Sequence, residues 1–168
     1  IGGDVSYVGT AYTFITVGGQ LWSMGGFNVS GALGINLSGT GSPGYTNAQS
    51  SPVQVTGIEW SKYIANGQYT SGAVKNNNEL WMWGANTHGG LGVNNRTSYS
   101  SPIQVPGTTW NKTSHYSYHT THALKTDGTL WAWGRGTSGR LAQNNTTDYS
   151  SPVQIPGTTW GDFAGAGL

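Results

Sequence analysis

The sequence predicts an all-β fold made of β-propeller blades, each a four-stranded antiparallel sheet. Three observations support this prediction. A sequence motif, which we call the phrase, occurs three times; turn dipeptides lie at equivalent positions of each repeat; and the strands are apolar on both faces. The phrase reads SSPVQVTGIEW, SSPIQVPGTTW and SSPVQIPGTTW, and its copies end at Trp60, Trp110 and Trp160. The tryptophans are therefore 50 residues apart, and periods of 20 to 50 residues are typical of solenoids and propellers.

Within each unit, two apolar runs flank a short turn. Runs such as YTSGAVK and ELWMWG are rich in β-branched and aromatic residues and show no sustained helical periodicity. The dipeptides between the runs are Gly18-Gly19, Asn77-Asn78 and Asp127-Gly128. Because Gly, Asn and Asp tolerate positive φ, these dipeptides predict two-residue hairpin turns of type I′.

The strand LWMWG predicts that each sheet is covered on both sides. Side chains alternate along a strand, so Trp81 and Trp83 share one face while Leu80 and Met82 share the other. A sheet with one solvated face would alternate apolar with polar residues. Stacked propeller blades cover both faces. We therefore interpret the recurring tryptophans as core residues, in preference to a stacking platform for a sugar or peptide.

Composition narrows the set of partners. The 168 residues carry a net charge of +1 with 8% charged residues, so no basic excess is available to neutralise a phosphate backbone, and nucleic acid is not an expected partner. No apolar run reaches the roughly 20 residues that span a bilayer, so we expect no membrane span. Cysteine is absent, which leaves neither disulfides nor thiolate metal sites.

The stretch GQYTSGAVKNNNELWMWGANTHGGLG, from Gly67 to Gly92, resembles the repeat of the regulator of chromosome condensation family. In that repeat a short strand, an Asp-Gly turn, a Trp-Gly pair and Gly-Gln-Leu-Gly follow in order, and THALKTDGTLWAWGRGTSGRLA shows the same order. Departures are Met24 for the Trp of Trp-Gly, Ala142 for the last Gly, and Ala32, Gly90 or Arg140 for the Gln.

The resemblance implies a seven-bladed propeller with repeats of about 50 residues. We expect one partial propeller domain, residues 1–168, with repeats at 1–59, 60–109 and 110–159 and the start of a fourth at 160–168. The remaining blades would come from the same parent chain or from neighbouring subunits. The first repeat is longer, and its extra residues fall mostly in 35–50.

Candidate catalytic and metal chemistry is sparse. His115, His119 and His122 form the densest group of metal-capable side chains, but strand alternation would set His122 on the opposite face, and neighbouring repeats carry no His there. We therefore expect polar surface or channel residues and no metal site. No nucleophile elbow and no phosphate-binding loop is present. The prediction is a protein that is not an enzyme and uses no cofactor.

The loops after each Trp-Gly, residues 27–32, 85–90 and 135–140, differ between repeats while the frame does not. A constant scaffold with variable loops is how binding surfaces are commonly built, and Tyr and Arg often anchor interfaces. The alternative is that these loops are solvated connections. The candidate binding residues are Asn86, His88, Arg96, Tyr99, Arg135, Arg140 and Tyr149.

We predict a noncatalytic structural or interaction module whose rim loops bind a protein or glycan partner. Low charge, absent cysteine and abundant Gly, Ser, Thr, Asn and aromatic residues favour an extracellular or virion surface, for instance a phage tail fibre or capsid appendage. The resemblance implies an alternative, an intracellular regulator that promotes nucleotide exchange on a small GTPase. An inhibitor of a secreted enzyme is a third hypothesis.

Overall fold

The computed structural model describes residues 4–8, 12–26, 28, 30–37, 47–116 and 119–162. In these residues twelve strands form three antiparallel sheets, each with its four strands in chain order. Sheet 1 contains β1 (Asp4–Val8), β2 (Tyr12–Val17), β3 (Gln20–Gly25) and β4 (Gln49–Gln54); sheet 2 contains β5 (Trp60–Asn66), β6 (Thr70–Lys75), β7 (Leu80–Gly84) and β8 (Tyr99–Gln104); sheet 3 contains β9 (Trp110–Tyr116), β10 (Thr120–Lys125), β11 (Leu130–Gly134) and β12 (Tyr149–Ile155). The predicted all-β fold of four-stranded sheets is confirmed.

The helical content of the described residues is one 3-10 turn, Thr137–Gly139. None of the helices in this part of the chain is long and apolar enough to cross a membrane. The predicted insertion of the first repeat falls largely on residues 38–46, which lie outside the described residues.

The hairpin turns differ from the prediction in two of three cases. Gly18 and Gly19 both have positive φ, and Val17 pairs with Gln20, so β2 and β3 are joined by the predicted two-residue turn. The other two turns are one residue longer: Asn78 N–H donates to the Lys75 carbonyl at 3.0 Å, and Gly128 N–H donates to the Lys125 carbonyl at 3.1 Å.

In these longer turns positive φ occurs at the third residue, Asn78 or Gly128, and at neither Asn77 nor Asp127. This is a type I turn closed by a left-handed residue, the usual three-residue hairpin. The type I′ prediction was wrong there because the dipeptide was assumed to be the whole loop.

The sheets stack face to face through two apolar clusters. In the first cluster, Trp83 and Ala73 of sheet 2 pack with Phe14 and Leu21 of sheet 1. In the second, Leu80 and Met82 of sheet 2 pack with Trp133 and other residues of sheet 3. Trp81 packs on the first cluster with Trp83, so the predicted division of the strand's faces is confirmed, and the indoles of Trp83 and Trp133 are core residues.

A loop carbonyl joins each sheet to the next at the edge of these clusters. The Ala32 carbonyl accepts the indole N–H of Trp83 at 2.9 Å and the hydroxyl of Ser71 at 2.9 Å. The Gly90 carbonyl accepts the indole N–H of Trp133 at 2.9 Å and the hydroxyl of Thr121 at 2.7 Å. The indoles of Trp83 and Trp133 are therefore each satisfied by the preceding unit, as a buried donor requires.

The repeated Ser-Ser of the phrase also lies at a junction between sheets. The N–H of Asn36 donates to the Ser100 carbonyl at 2.8 Å, and the N–H of Asn94 donates to the Ser150 carbonyl at 2.8 Å. A Cβ on Gly89 would lie 2.5 Å from the Ser150 Cα. The phrase therefore belongs to the scaffold that holds one blade against another.

Candidate functional site

The loops singled out in the sequence meet at one end of sheets 2 and 3. Strands alternate in direction within a sheet, so the connections β5–β6, β7–β8, β9–β10 and β11–β12 emerge at that same end. We call this end the rim. The opposite end carries the β6–β7 and β10–β11 turns.

Three of the predicted binding residues hold the rim loops together. Asn86 is fully buried; its side-chain oxygen accepts the N–H of Leu91 at 2.9 Å, and its amide donates to the Asn95 carbonyl at 2.9 Å. The hydroxyls of Tyr99 and Tyr149 accept hydrogen bonds from the amides of Asn95 and Asn145, at 3.2 and 3.1 Å. These side chains shape the loops, and binding by them stays a prediction.

Arg140 lies on the side of sheet 3 that faces away from sheet 2. Its carbonyl and the Nε2 of His122 are 3.1 Å apart. In the preceding unit the equivalent carbonyl, that of Gly90, accepts bonds from the next sheet.

His88 and Arg96 meet at a carboxylate that sequence analysis did not select. Nδ1 of His88 and Oδ2 of Asp148 are 2.9 Å apart, and Nη2 of Arg96 is 3.9 Å from the same oxygen. The other oxygen, Oδ1, accepts the N–H of Gly136 at 2.9 Å. Desolvation raises the pKa of Asp148, but Gly136, His88 and Arg96 outweigh it and lower that pKa below its ordinary value.

His119 lies between two rings at the junction of sheets 2 and 3. Its ring stacks on Tyr69 at a centroid distance of 5.8 Å and lies 5.4 Å from the ring of His88. The N–H of Arg135 donates to the His119 carbonyl at 3.0 Å. Burial, then the charges of His88 and Arg135, lower the pKa of His119 below its usual value, so the ring is neutral near pH 7.

We refer to Tyr69, His88, Arg96, His119, Arg135 and Asp148 as the rim cluster. Its frame is repeated in sheet 2, where the N–H of Ala85 donates to the Tyr69 carbonyl at 2.8 Å just as Arg135 does to His119. The side chains break the repeat: His119 stands at the position of Tyr69, Arg135 at that of Ala85, and Asp148 at that of Ser98. Departure from the repeat is thus the signal that could have identified Asp148 and His119 as rim residues.

The three histidines of sheet 3 do not converge on one point. His115 is buried, with Nδ1 2.7 Å from the hydroxyl oxygen of Thr121, while His122 contacts the Arg140 carbonyl. Over the described ranges no group of three His, Cys, Asp or Glu side chains is placed to hold a metal ion.

Repeated four-stranded sheets stacked through buried tryptophans, with variable loops at one end, define a propeller-type repeat protein. The family model for the regulator of chromosome condensation repeat matches residues 77–124 and 127–162. The chain therefore belongs to the regulator of chromosome condensation repeat family, and the predicted resemblance is confirmed.

Solved structures show the same fold. Human WBSCR16 is 21% identical over 88% of this chain with a TM-score of 0.73, and the match covers 37% of WBSCR16. Prp20p of Saccharomyces cerevisiae, whose binding properties to Gsp1p and histones are described with its structure, is 18% identical over 92% of this chain, with a TM-score of 0.75. That match covers 39% of Prp20p, so the chain spans less than two-fifths of either protein. No curated protein matches the sequence.

Proposed function

We propose that this chain is a noncatalytic interaction module that binds a protein partner through the rim of sheets 2 and 3. The observation that supports the proposal most directly is the rim cluster itself. Its side chains depart from the repeat at positions where the backbone frame is unchanged. A scaffold contact recurs in every unit, so residues confined to one junction are free to serve recognition.

The exposure and chemistry of the cluster suit an interface. The side chains of His88 and Asp148 are 32% and 21% exposed, and that of Arg96 is 58% exposed. Arg and Tyr are enriched at the energetically dominant positions of interfaces. Loops held on a rigid sheet stack also reduce the entropy lost on binding.

A matched pair of variants tests the proposal against a panel of small GTPases and a glycan array. His88→Ser with Arg135→Ala gives the rim the residues of neighbouring repeats, while Lys112→Gln removes one positive charge elsewhere, from an exposed ion pair with Asp162 of 2.7 Å. We expect the wild type and Lys112→Gln to bind a protein, and the rim variant to bind it roughly tenfold more weakly or worse. Glycan binding without protein binding, or equal losses in both variants, would contradict the proposal.

Membership of the regulator of chromosome condensation repeat family favours one second candidate, the regulator of nucleotide exchange on a small GTPase that the resemblance implies. Binding confined to GTPases in the panel, together with accelerated nucleotide release, would support this candidate over a passive interaction module. The extracellular or virion location and the glycan partner remain predictions from composition.

A further inference from the structure

Two polar atoms of the rim cluster are buried without a hydrogen-bond partner. They are Nε of Arg135 and Nδ1 of His119. An unsatisfied buried donor costs on the order of 1 to 3 kcal/mol, and native proteins leave few such groups. The two atoms belong to neighbouring residues, since the N–H of Arg135 donates to the His119 carbonyl. Because the charge of Arg135 also acts on the ring of His119, we take one ligand group to lie against both side chains.

The charges of the rim cluster favour a ligand that carries a single negative charge. Both oxygens of Asp148 are engaged, by Gly136 on one side and by His88 and Arg96 on the other. No ion pair of Arg135 is found among the described residues. Apart from the imidazoles, two arginines face one aspartate, which leaves one positive charge uncompensated.

The surroundings of His119 fit a carboxylate on a short apolar stem. Its ring is flanked by the rings of Tyr69 and His88, which offer apolar faces beside the polar edge. Both side chains are half-buried although Nε and Nδ1 themselves are enclosed, so a carboxylate reaches the two atoms when the exposed part of the Arg135 side chain turns outward. A guanidinium presents its Nε–H in a planar fork that matches a carboxylate.

We infer that Arg135 and His119 form a carboxylate-binding site that takes an Asp or Glu side chain of the protein partner. This inference rests on the proposed function and specifies what the partner must present. The carboxylate accepts the Nε–H of Arg135, and the Nδ1 of His119 lies beside it as a second donor when that nitrogen carries the ring hydrogen. A free small carboxylate shares this chemistry, and the experiment distinguishes the two sources.

The Arg135 Nε–H gives a direct readout in a proton–nitrogen NMR spectrum. We expect its signal to shift saturably on titration with sodium acetate, relative to sodium chloride at the same ionic strength. An N-acetylated, C-amidated hexaglutamate peptide should produce the shift at lower concentration than acetate, and a hexaglutamine peptide should produce none. Arg135→Ala should weaken peptide binding by roughly tenfold or more, the effect of losing one charge-assisted hydrogen bond. Lys112→Gln should change it less than about twofold, since its ion pair is largely exposed.

Three results would overturn the inference. The Nε–H signal does not respond saturably to either carboxylate; acetate binds but the glutamate peptide does not, which makes the site one for small carboxylates; or Arg135→Ala binds the peptide as well as Lys112→Gln does. If the His88→Ser, Arg135→Ala variant loses binding to a protein partner but the Arg135 signal does not respond to carboxylates, the proposed function is supported and the carboxylate site is contradicted. If Arg135 binds carboxylates but no protein in the panel binds the chain, the carboxylate site is supported and the proposed function is contradicted.

Discussion

His115 shows how one buried side chain in this molecule acquires a fixed protonation state. The Thr121 hydroxyl hydrogen is donated to the Gly90 carbonyl, so the Nδ1 of His115 must supply the hydrogen in its own 2.7 Å contact with Thr121. Its ring also packs on Gly67, where an added Cβ would lie 2.3 Å from Cδ2. Burial, followed by the charges of His119 and His122, lowers the pKa of His115 to about 3.

We predict that His115 makes the fold less stable in acid. Its folded pKa lies below the ordinary value of 6.5, so the unfolded chain takes up a proton first as pH falls. The stabilisation is complete above pH 6.5 and is lost progressively as pH falls from 6.5 towards 3. Denaturant unfolding of wild type and His115→Gln at pH 7, 5 and 4 measures this. The difference in stability between them should shrink as pH falls, and parallel curves would contradict the assignment.

At the residue scale, the sequence identified side chains that lie at the rim, but it did not identify which of them are available to bind a partner. Asn86, Tyr99 and Tyr149 have the polarity of interface residues, yet their amide and hydroxyl groups are used within the loops. Such hydrogen bonds depend on where a loop folds back, which residue type does not encode. Asp148 was missed for the converse reason, since its partners come from two different loops.

At the element scale, the hairpin turns of sheets 2 and 3 place one residue in the left-handed region. Asn78 has φ of 65° where sheet 3 has Gly128 with φ of 79°. Glycine adopts this conformation without a Cβ penalty. We predict that Asn78→Gly stabilises the fold by about 0.5 kcal/mol and Asn78→Ala destabilises it by about 1 kcal/mol. Thermal unfolding of the two variants measures the order, and an Asn78→Gly variant less stable than wild type would contradict the turn geometry.

A pair of glycines tests how closely one blade approaches the next. Gly89 and Gly139 both have positive φ, but a Cβ on Gly89 would meet Ser150, whereas nothing lies within 4 Å of a Cβ on Gly139. Alanine at either position carries the left-handed strain, so the difference isolates the contact between sheets. We expect Gly89→Ala to cost about 1 to 3 kcal/mol more than Gly139→Ala. Equal costs in denaturant unfolding would show that the sheets do not approach closely at Ser150.

The elements themselves were largely predictable. Alternation in LWMWG assigned the two faces correctly because both faces are covered by similar sheets. The turn types were not predictable from the dipeptides, because loop length depends on the register of the flanking strands: Val74 pairs with Leu80, whereas Val17 pairs with Gln20.

At the scale of the whole molecule, the tryptophans that end the phrase differ in exposure. Trp60 and Trp110 are 3% and 1% exposed, while Trp160 is 41% exposed. Trp110 meets Trp131 and Trp133 edge to face, with centroid distances of 6.2 and 5.7 Å. A further sheet beginning at Trp160 would give its indole the same setting, which is how we interpret the expected additional blades.

We predict that an added sheet would cover this position. Fusing a copy of residues 110–162 after residue 159 places the tryptophan of the copy at position 160, in front of four new strands. Its indole N–H, assigned in a proton–nitrogen NMR spectrum by the signal that disappears when this tryptophan is replaced with phenylalanine, should exchange with solvent more slowly than that of Trp160 in the parent chain. A tryptophan as exposed as Trp160 in the parent chain would contradict the expected stacking of a further blade.

Repeat spacing and motif order were sufficient to predict the sheets, their stacking and the family. They could not reveal the rim cluster, because four connections from two sheets form it. Its side chains also differ from the repeat on which the fold prediction was based. The number of blades and the partner remain predictions, because each depends on surfaces that meet another element or another molecule.

The central claim is that the recurring indoles lie between stacked sheets and recognition takes place at the rim. Hydrogen exchange of the indole N–H groups, followed by NMR, tests it most directly. The N–H groups of Trp83 and Trp133, bonded to the carbonyls of Ala32 and Gly90, should exchange at least about a hundredfold more slowly than that of Trp160. Exchange of Trp83 and Trp133 as fast as that of Trp160 would place those rings in an open, hydrated groove and contradict the account.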